Sequence, residues 1–321
     1  MSTYLISVAI PVYNEAKQIY KNINIIHKIL TESNINHEFI LVDDGSRDNT
    51  WEELERLSSD LPNVIAIKLS RNFGKEAALC AALEAAHGDA CVVMDSDLQH
   101  PPELIPQMVR LWKEEGYDVV EGVKSSRGKE SVVNKVGAHL FYSILKNLSG
   151  FNLDGASDFK LLDSKVVASW NTMQERNTFF RGMSAWLGYK RTTISFEVVE
   201  RKEGKSKWST IKLFKLAINA ITSFSSLPLH LVTLMGMFFL FGSLILGIYT
   251  LYMKFRGIAV SGFTTVILLL LIIGSTLMIS LGIIGTYIAK IFDEVKFRPR
   301  YIISEKVASK NSERKNIGAN S

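Results

Sequence analysis

Two carboxylates stand two residues apart in Asp95-Ser96-Asp97, directly after the apolar run Cys91-Val92-Val93-Met94. Side chains alternate along a strand, so residues two apart point the same way, with roughly 7 Å between their alpha carbons. Placed at a strand end, such a pair can share one divalent cation. Mg²⁺ in particular takes a few carboxylates together with diphosphate oxygens and water. A lone triplet of this kind is common, but here Leu98-Gln99-His100-Pro101-Pro102-Glu103 follows and leads into a helical pattern. Asp43-Asp44-Gly45-Ser46 is the second polar cluster. It suits a turn with an N-cap for the next helix, or a carboxylate accepting hydrogen bonds from a nucleobase or ribose, and the two roles can fall to one aspartate each. The third is Pro11-Val12-Tyr13-Asn14-Glu15.

These clusters require a frame. Apolar runs at 5–10, 39–42, 64–69, 90–94 and 119–121 are predicted as short buried strands, and 16–31, 50–59, 75–87 and 102–115 as helices. Thr50 with Glu53 makes a capping box for the second helix. Regular alternation of this kind predicts a mostly parallel sheet covered by helices. In such sheets ligands bind beyond the carboxyl ends of the strands, where all three polar clusters fall. Residues 131–188 are expected to be helical with interruptions, and 192–199 to add one more strand.

The chain has 321 residues, and its apolar share of 47% hides a split. No Lys, Arg, Asp or Glu occurs from 217 to 253, nor from 257 to 289. Segments 229–252 and 263–289 exceed the roughly 20 apolar residues that cross a hydrocarbon core. The expectation is a soluble head (1–207), an amphipathic interfacial helix (208–228) whose alternative is packing on the head, a two-helix transmembrane hairpin (229–290) and a cytoplasmic tail (291–321) that is mobile from about Ser304. The helix expectation rests on Ile211, Phe214, Ile218 and Ile221 recurring at helical steps, with Lys212, Lys215 and Asn219 on another side. Two spans return the chain to its starting side. Nothing at the N-terminus resembles a secretory signal, so the head is expected in the cytoplasm and the protein in the inner or plasma membrane as a multi-pass protein. Lys254 and Arg256 in the connector weaken the positive-inside pattern without reversing it. The net charge is +5, with basic clusters at 124–135 and 202–215. No nucleic-acid-reading motif accompanies them, whereas diphosphates and lipid headgroups fit. Cys80 and Cys91 are expected to be small buried hydrophobes.

Taken together, the Pro11–Glu15 stretch, Val42-Asp43-Asp44-Gly45-Ser46, Asn72-Phe73-Gly74-Lys75 and Asp95-Ser96-Asp97-Leu98-Gln99 resemble the inverting glycosyltransferases of family two. The polyprenyl-phosphate type, such as bactoprenol glucosyltransferases and dolichyl-phosphate mannose synthases, is the nearest. Ser157-Asp158-Phe159-Lys160-Leu161-Leu162-Asp163, Phe179-Phe180-Arg181-Gly182, Arg201 and Gly204-Lys205-Ser206-Lys207-Trp208 extend the resemblance over nearly the whole chain. It implies an α/β GT-A head with a Rossmann-like sheet, in which Asp43 faces the base and the loop of Pro11, Tyr13, Asn14 and Glu15 wraps it. Asp44, Lys75 and Ser96 belong to the same nucleotide-sugar site. Asp95 and Asp97 hold Mg²⁺ or Mn²⁺ on the diphosphate, with Gln99 nearby. Asp158 resembles the catalytic carboxylate, with Asp97 and Arg201 also in the catalytic set. Lys207, like Arg201, approaches the phosphates of donor or acceptor, and Arg127 and Lys135 are candidates for the lipid phosphate. The implied partners are a UDP-glucose donor, a polyprenyl phosphate acceptor, the membrane and further copies of the chain in a tetramer, with no nucleic acid. Two departures stand out: His100 where an acidic residue is common, and Lys160 where arginine is common.

A phosphate acceptor is already anionic near neutral pH, so a strong general base is not essential. The harder tasks are in-line alignment at the anomeric carbon and stabilisation of the departing nucleoside diphosphate. Asp158 is therefore expected to position sugar or acceptor, or to offset positive charge at the anomeric carbon, its alternative being an N-cap of a helix starting near Lys160. A processive polysaccharide synthase would carry Gln-x-x-Arg-Trp and more spans. A non-catalytic nucleotide-sugar sensor would be marked by loss of Asp95, Asp97 or Asp158. A lipid flippase would need charge within its spans. UDP-N-acetylglucosamine and GDP-mannose remain as donors behind UDP-glucose.

Overall fold

The computed structural model describes residues 4–124, 157–173, 175–176, 178–196, 227–257 and 262–309. They form two units, an α/β unit and an apolar helical unit. The α/β unit opens with β1 (Leu5–Val12), α1 (Ile19–Glu32), β2 (Asn36–Asp43), α2 (Thr50–Asp60), β3 (Val64–Leu69), α3 (Lys75–Glu84) and β4 (Ala90–Val93). A short 3-10 turn at Pro102–Leu104 leads into α4 (Ile105–Glu115) and β5 (Val119–Lys124). β6 (Lys160–Asp163), α5 (Ser164–Thr172), α6 (Phe180–Trp186) and β7 (Arg191–Phe196) complete the run.

The strands make one sheet in the order β7-β5-β6-β4-β1-β2-β3-β8, where β8 is Ile303–Ala308. Neighbours β1–β2, β1–β4, β2–β3 and β5–β7 are parallel, while β4–β6, β5–β6 and β3–β8 are antiparallel. This is a GT-A-like α/β fold around a mixed, mostly parallel sheet. The central strands are covered on both faces, which is why β1, β2 and β4 read as continuous apolar runs. Ile6, Val8 and Ile10 of β1 pack with Ile19, Ile23, Ile26 and Leu30 of α1, whose four- and three-residue spacing forms one buried stripe. Cys80 and Cys91 are free and buried, as expected of small hydrophobes.

Three local expectations are corrected. Lys160–Asp163 is a strand within the stretch expected to be helical, and the helix starts only at Ser164, where the Asp163 carboxylate accepts from Lys165 N–H at 2.9 Å. Asp158 therefore caps no helix. Four residues between two buried strands are too few for helical periodicity to be distinguished from a strand run. Thr50 and Glu53 form no capping box: the Thr50 hydroxyl accepts from Glu15 N–H at 2.9 Å and donates to Asp48 at 2.5 Å. The stretch from Ser304 is no free tail as far as Ser309. It is the edge strand β8, with Ser309 N–H donating to Val64 O at 2.9 Å and the Lys68 ammonium meeting Glu305 at 2.9 Å. Its charged residues hid it in the sequence, and charge is what an exposed sheet edge carries.

The second unit holds α7 (Leu227–Phe255) and α8 (Phe263–Val295). Both are long and apolar enough to cross a membrane, over Pro228–Phe255 and Leu269–Val295. Their side chains are not packed away as in a soluble core: Phe238, Ile245 and Met278 are about 70% exposed. Of the segment expected to form the interfacial helix, 208–228, residues 208–226 lie outside the described residues, and Leu227 and Pro228 open α7 instead.

Candidate active site

The polar clusters meet at the rim formed by the carboxyl ends of β1, β2 and β4. The loop after β1 is stitched to the loop after β2. Asn14, at φ 54°, donates its backbone N–H to Ser46 Oγ at 2.9 Å, and its side-chain carbonyl accepts from Arg47 N–H at 2.9 Å. Asn is among the few residues that adopt this left-handed conformation cheaply. Tyr13 stands exposed at the tip, and Glu15 accepts from the Gln18 side chain.

Asp43 closes the turn expected of the pair, and neither aspartate caps α2. Oδ1 of Asp43 closes the turn, accepting from Ser46 N–H at 3.0 Å and from the Ser46 hydroxyl. Its Oδ2 is buried with no hydrogen-bond partner among the described residues, and burial raises the Asp43 pKa. A buried polar atom without a partner in the protein marks a place for an external donor. Asp44 instead pins the loop before α3, accepting from Phe73 N–H at 2.7 Å and from Gly74 N–H at 2.9 Å. Gly45, at φ 65°, is required here, because a Cβ would run into the Arg71–Asn72 backbone.

The Asp95–Asp97 loop is held from beneath. Asn22 of α1 donates to Ser96 O at 2.7 Å, and Asp95 N–H donates to His100 Nδ1 at 3.2 Å. His100 is buried and stacks on Phe159 at 5.2 Å between ring centroids. Its imidazole thus holds the loop through an accepted hydrogen bond and adds an aromatic stack that a carboxylate would lack. Gln99 N–H donates to Asp97 Oδ1 at 3.1 Å. Leu98 between them has φ 55°, a strained conformation for a branched side chain.

Asp158 reaches the same rim through topology. β6 runs antiparallel to β4 with Val93 opposite Lys160. Two residues beyond Val93 is Asp95, and two residues before Lys160 is Asp158. Between them lies Lys75, the first residue of α3, whose ammonium is 2.6 Å from Asp95 Oδ1 and 2.5 Å from Asp158 Oδ2. Arg181 of α6 closes the other side of Asp158 with a two-pronged contact, Nε to Oδ1 at 2.8 Å and Nη2 to Oδ2 at 3.1 Å. Burial of Asp158 opposes its ionisation, but Arg181 and then Lys75 outweigh that and hold its pKa well below the usual carboxylate range. Burial likewise opposes the Lys75 charge, and Asp95 and Asp158 reverse the balance and raise its pKa. Asp158 is therefore a fixed anion and a poor base.

Sequence reasoning gave no role to four residues that support this centre. Arg181 lay in a quoted motif without one. Glu76, beside Lys75, accepts from Phe180 N–H at 2.9 Å, and burial pushes its pKa up to about 7. Glu121 and Arg191 surround Lys160: Glu121 Oε1 is 3.4 Å from the buried Lys160 ammonium, and Glu121 Oε2 is 2.5 Å from Arg191. Lys160 also donates to Ser184 at 2.7 Å, and burial lowers its pKa. Paired polar residues in facing strands, Glu121 and Lys160, were the available signal. Lys160 is thus directed to Glu121 and Ser184, while the two-pronged contact on Asp158 comes from Arg181. Arg127, Lys135, Arg201 and Lys207 lie outside the described residues.

Among the described residues no three of His, Cys, Asp and Glu converge as a metal cage. Asp95 and Asp97 fit a cation that takes its remaining ligands from a diphosphate and water. The Lys75 ammonium on Asp95 shows that this carboxylate accepts a cation at close range.

The profile of glycosyl transferase family 2 matches residues 7–164. An uncharacterized glycosyltransferase of Synechocystis sp. is 36% identical over 94% of this chain and 96% of that protein. The uncharacterized glycosyltransferase YkcC of Bacillus subtilis is 36% identical over 95% of each chain. The SfII prophage-derived bactoprenol glucosyl transferase of Shigella flexneri is 34% identical over 94% of this chain and 97% of that protein.

Proposed function

We propose that this chain, which belongs to glycosyl transferase family 2, transfers glucose from UDP-glucose to undecaprenyl phosphate, with inversion, at the cytoplasmic face of the membrane. The observation that carries the proposal is end-to-end similarity to a bactoprenol glucosyl transferase, hairpin included, at 34% identity. The rim supports it. Asp43 Oδ2 would accept from the base, and the Asn14–Ser46 seam would shape the wall beside it. Asp95 and Asp97 would hold Mg²⁺ or Mn²⁺, whose charge would offset that of the departing diphosphate. Asp158, ionised by Arg181 and Lys75, would orient the sugar or the acceptor and offset positive charge at the anomeric carbon. An anionic phosphate needs no strong base, and this site offers none in Asp158. Arg201 and Lys207 are assigned to phosphates of donor or acceptor, and Arg127 and Lys135 to the lipid phosphate. The hairpin would place the head where a polyprenyl chain resides, with both ends of the chain in the cytoplasm.

The test is transfer of radiolabel from UDP-glucose to undecaprenyl phosphate in membranes with Mg²⁺, beside an Asp97→Asn control. Chloroform-soluble label that disappears with EDTA and in the variant is the expected result. Label entering lipid only from UDP-N-acetylglucosamine or GDP-mannose would reassign the donor. No transfer from any donor, by protein that still binds nucleotide, would leave a membrane-tethered sensor.

A further inference from the structure

The Lys75 ammonium is a flexible cation at this centre, and its position is unusual. It belongs to the first residue of α3, where a positive charge opposes the helix dipole. Two carboxylates, one just beyond β4 and one just before β6, hold it there, at 2.6 and 2.5 Å. The base of the side chain is fixed, because Asp44 ties down the Phe73 and Gly74 N–H groups just before it. The four-carbon stem above that base is flexible and ends in a compact point charge, unlike the planar fork of Arg181. Asp158 would keep its Arg181 contacts if the ammonium moved, whereas Asp95 has no other cation within 4.0 Å among the described residues.

We propose that Lys75 is the resident counter-ion of Asp95, displaced from that carboxylate by the divalent cation when donor binds. The proposal rests on the metal-dependent transfer set out above. Before loading, the ammonium offsets the charge of Asp95 and shares that of Asp158 with Arg181, so that neither carboxylate repels the donor diphosphate. On loading, a divalent ion at Asp95 repels the ammonium, which keeps Asp158 and turns toward the phosphate oxygens that arrive with the ion. Lys75 is thus a positioning residue that links metal occupancy to the surroundings of Asp158.

The test is Mn²⁺ binding by the full chain in detergent, followed by electron paramagnetic resonance of the free ion, for wild type, Lys75→Met and Asp97→Asn. Removing the competing ammonium is expected to tighten Mn²⁺ binding without nucleotide by roughly tenfold. The gain shrinks when UDP is present, and Asp97→Asn loses binding. Unchanged or weaker binding by Lys75→Met, with normal binding by wild type, overturns the proposal alone. Wild type that binds no Mn²⁺ even with UDP overturns the metal-dependent reaction and this proposal with it. Should Lys75→Met fail to fold, wild type carries the test through amine-reactive labelling read by mass spectrometry. Labelling of Lys75 that rises when Mn²⁺ is added supports displacement, and labelling that stays constant overturns it.

Discussion

At the residue scale, the centre depends on how each carboxylate is satisfied. Asp158 has both oxygens engaged by a planar fork, so its orientation is set by Arg181. Arg181→Lys keeps the charge and loses one prong. We expect kcat to fall on the order of tenfold to a hundredfold with little change in nucleotide KM, because misplacement by about 1 Å has such effects. Steady-state kinetics separates the two parameters. Asp43 is the opposite case, with one oxygen satisfied and one waiting. Asp43→Asn should weaken UDP binding by about tenfold, the usual effect of a buried hydrogen-bonding partner lost. Calorimetric titration with UDP measures it, and unchanged affinity would remove Asp43 from the base site.

At the element scale, the strands position these residues and the helices lock them. The α1–β2 contact contains an imidazole pair, His27 Nδ1 to His37 Nε2 at 2.9 Å. Burial lowers the pKa of both. A base with a lowered folded pKa binds fewer protons folded than unfolded, so its stabilising effect is present above about pH 6.5 and is lost as pH falls below it. The unfolding midpoint of the α/β unit should therefore drop on acidification from pH 7.5 to 5.5, and His37→Gln should flatten that slope. At the sheet edge, Val307 of β8 packs against the core, and Val307→Asp should cost about 1–2 kcal/mol. Chemical denaturation reads that loss, and none would mean that β8 adds no stability. β1, β2 and β4 were legible in the sequence because burial on both faces leaves unbroken apolar runs. The D-x-D loop was legible because it follows such a run. β6 and β8 were not: one begins with a lysine and ends with an aspartate inside a stretch that reads as helical, and the other is charged at an open edge. Arg181 and Glu121 were missed for a related reason, since only the antiparallel register of β6 brings their partners within reach.

At the scale of the whole molecule, an α/β unit and an apolar hairpin divide chemistry from location. α8 has 33 residues, which at about 1.5 Å each exceed a hydrocarbon core of about 30 Å, so its charged last turns fall outside the apolar stretch. Leu244, 55% exposed within α7, tests the spanning role. Leu244→Arg should raise the cost of insertion by roughly 3 kcal/mol and shift protein from the carbonate-resistant membrane fraction to the soluble one. An unchanged distribution would argue against α7 as a span.

The last strand of the sheet also sets an order of events during synthesis. Val64 of β3 and Ser309 beyond β8 are hydrogen-bonded partners 245 residues apart. A ribosome adding about 5–20 residues per second needs roughly 12 to 50 seconds to join them. Throughout that interval the outer edge of β3 is open, and both apolar helices emerge before it can close. The sheet that carries the active site is thus completed only after the hairpin has been translated. A nascent chain that stalls before the hairpin would leave an unfinished sheet for quality control to find.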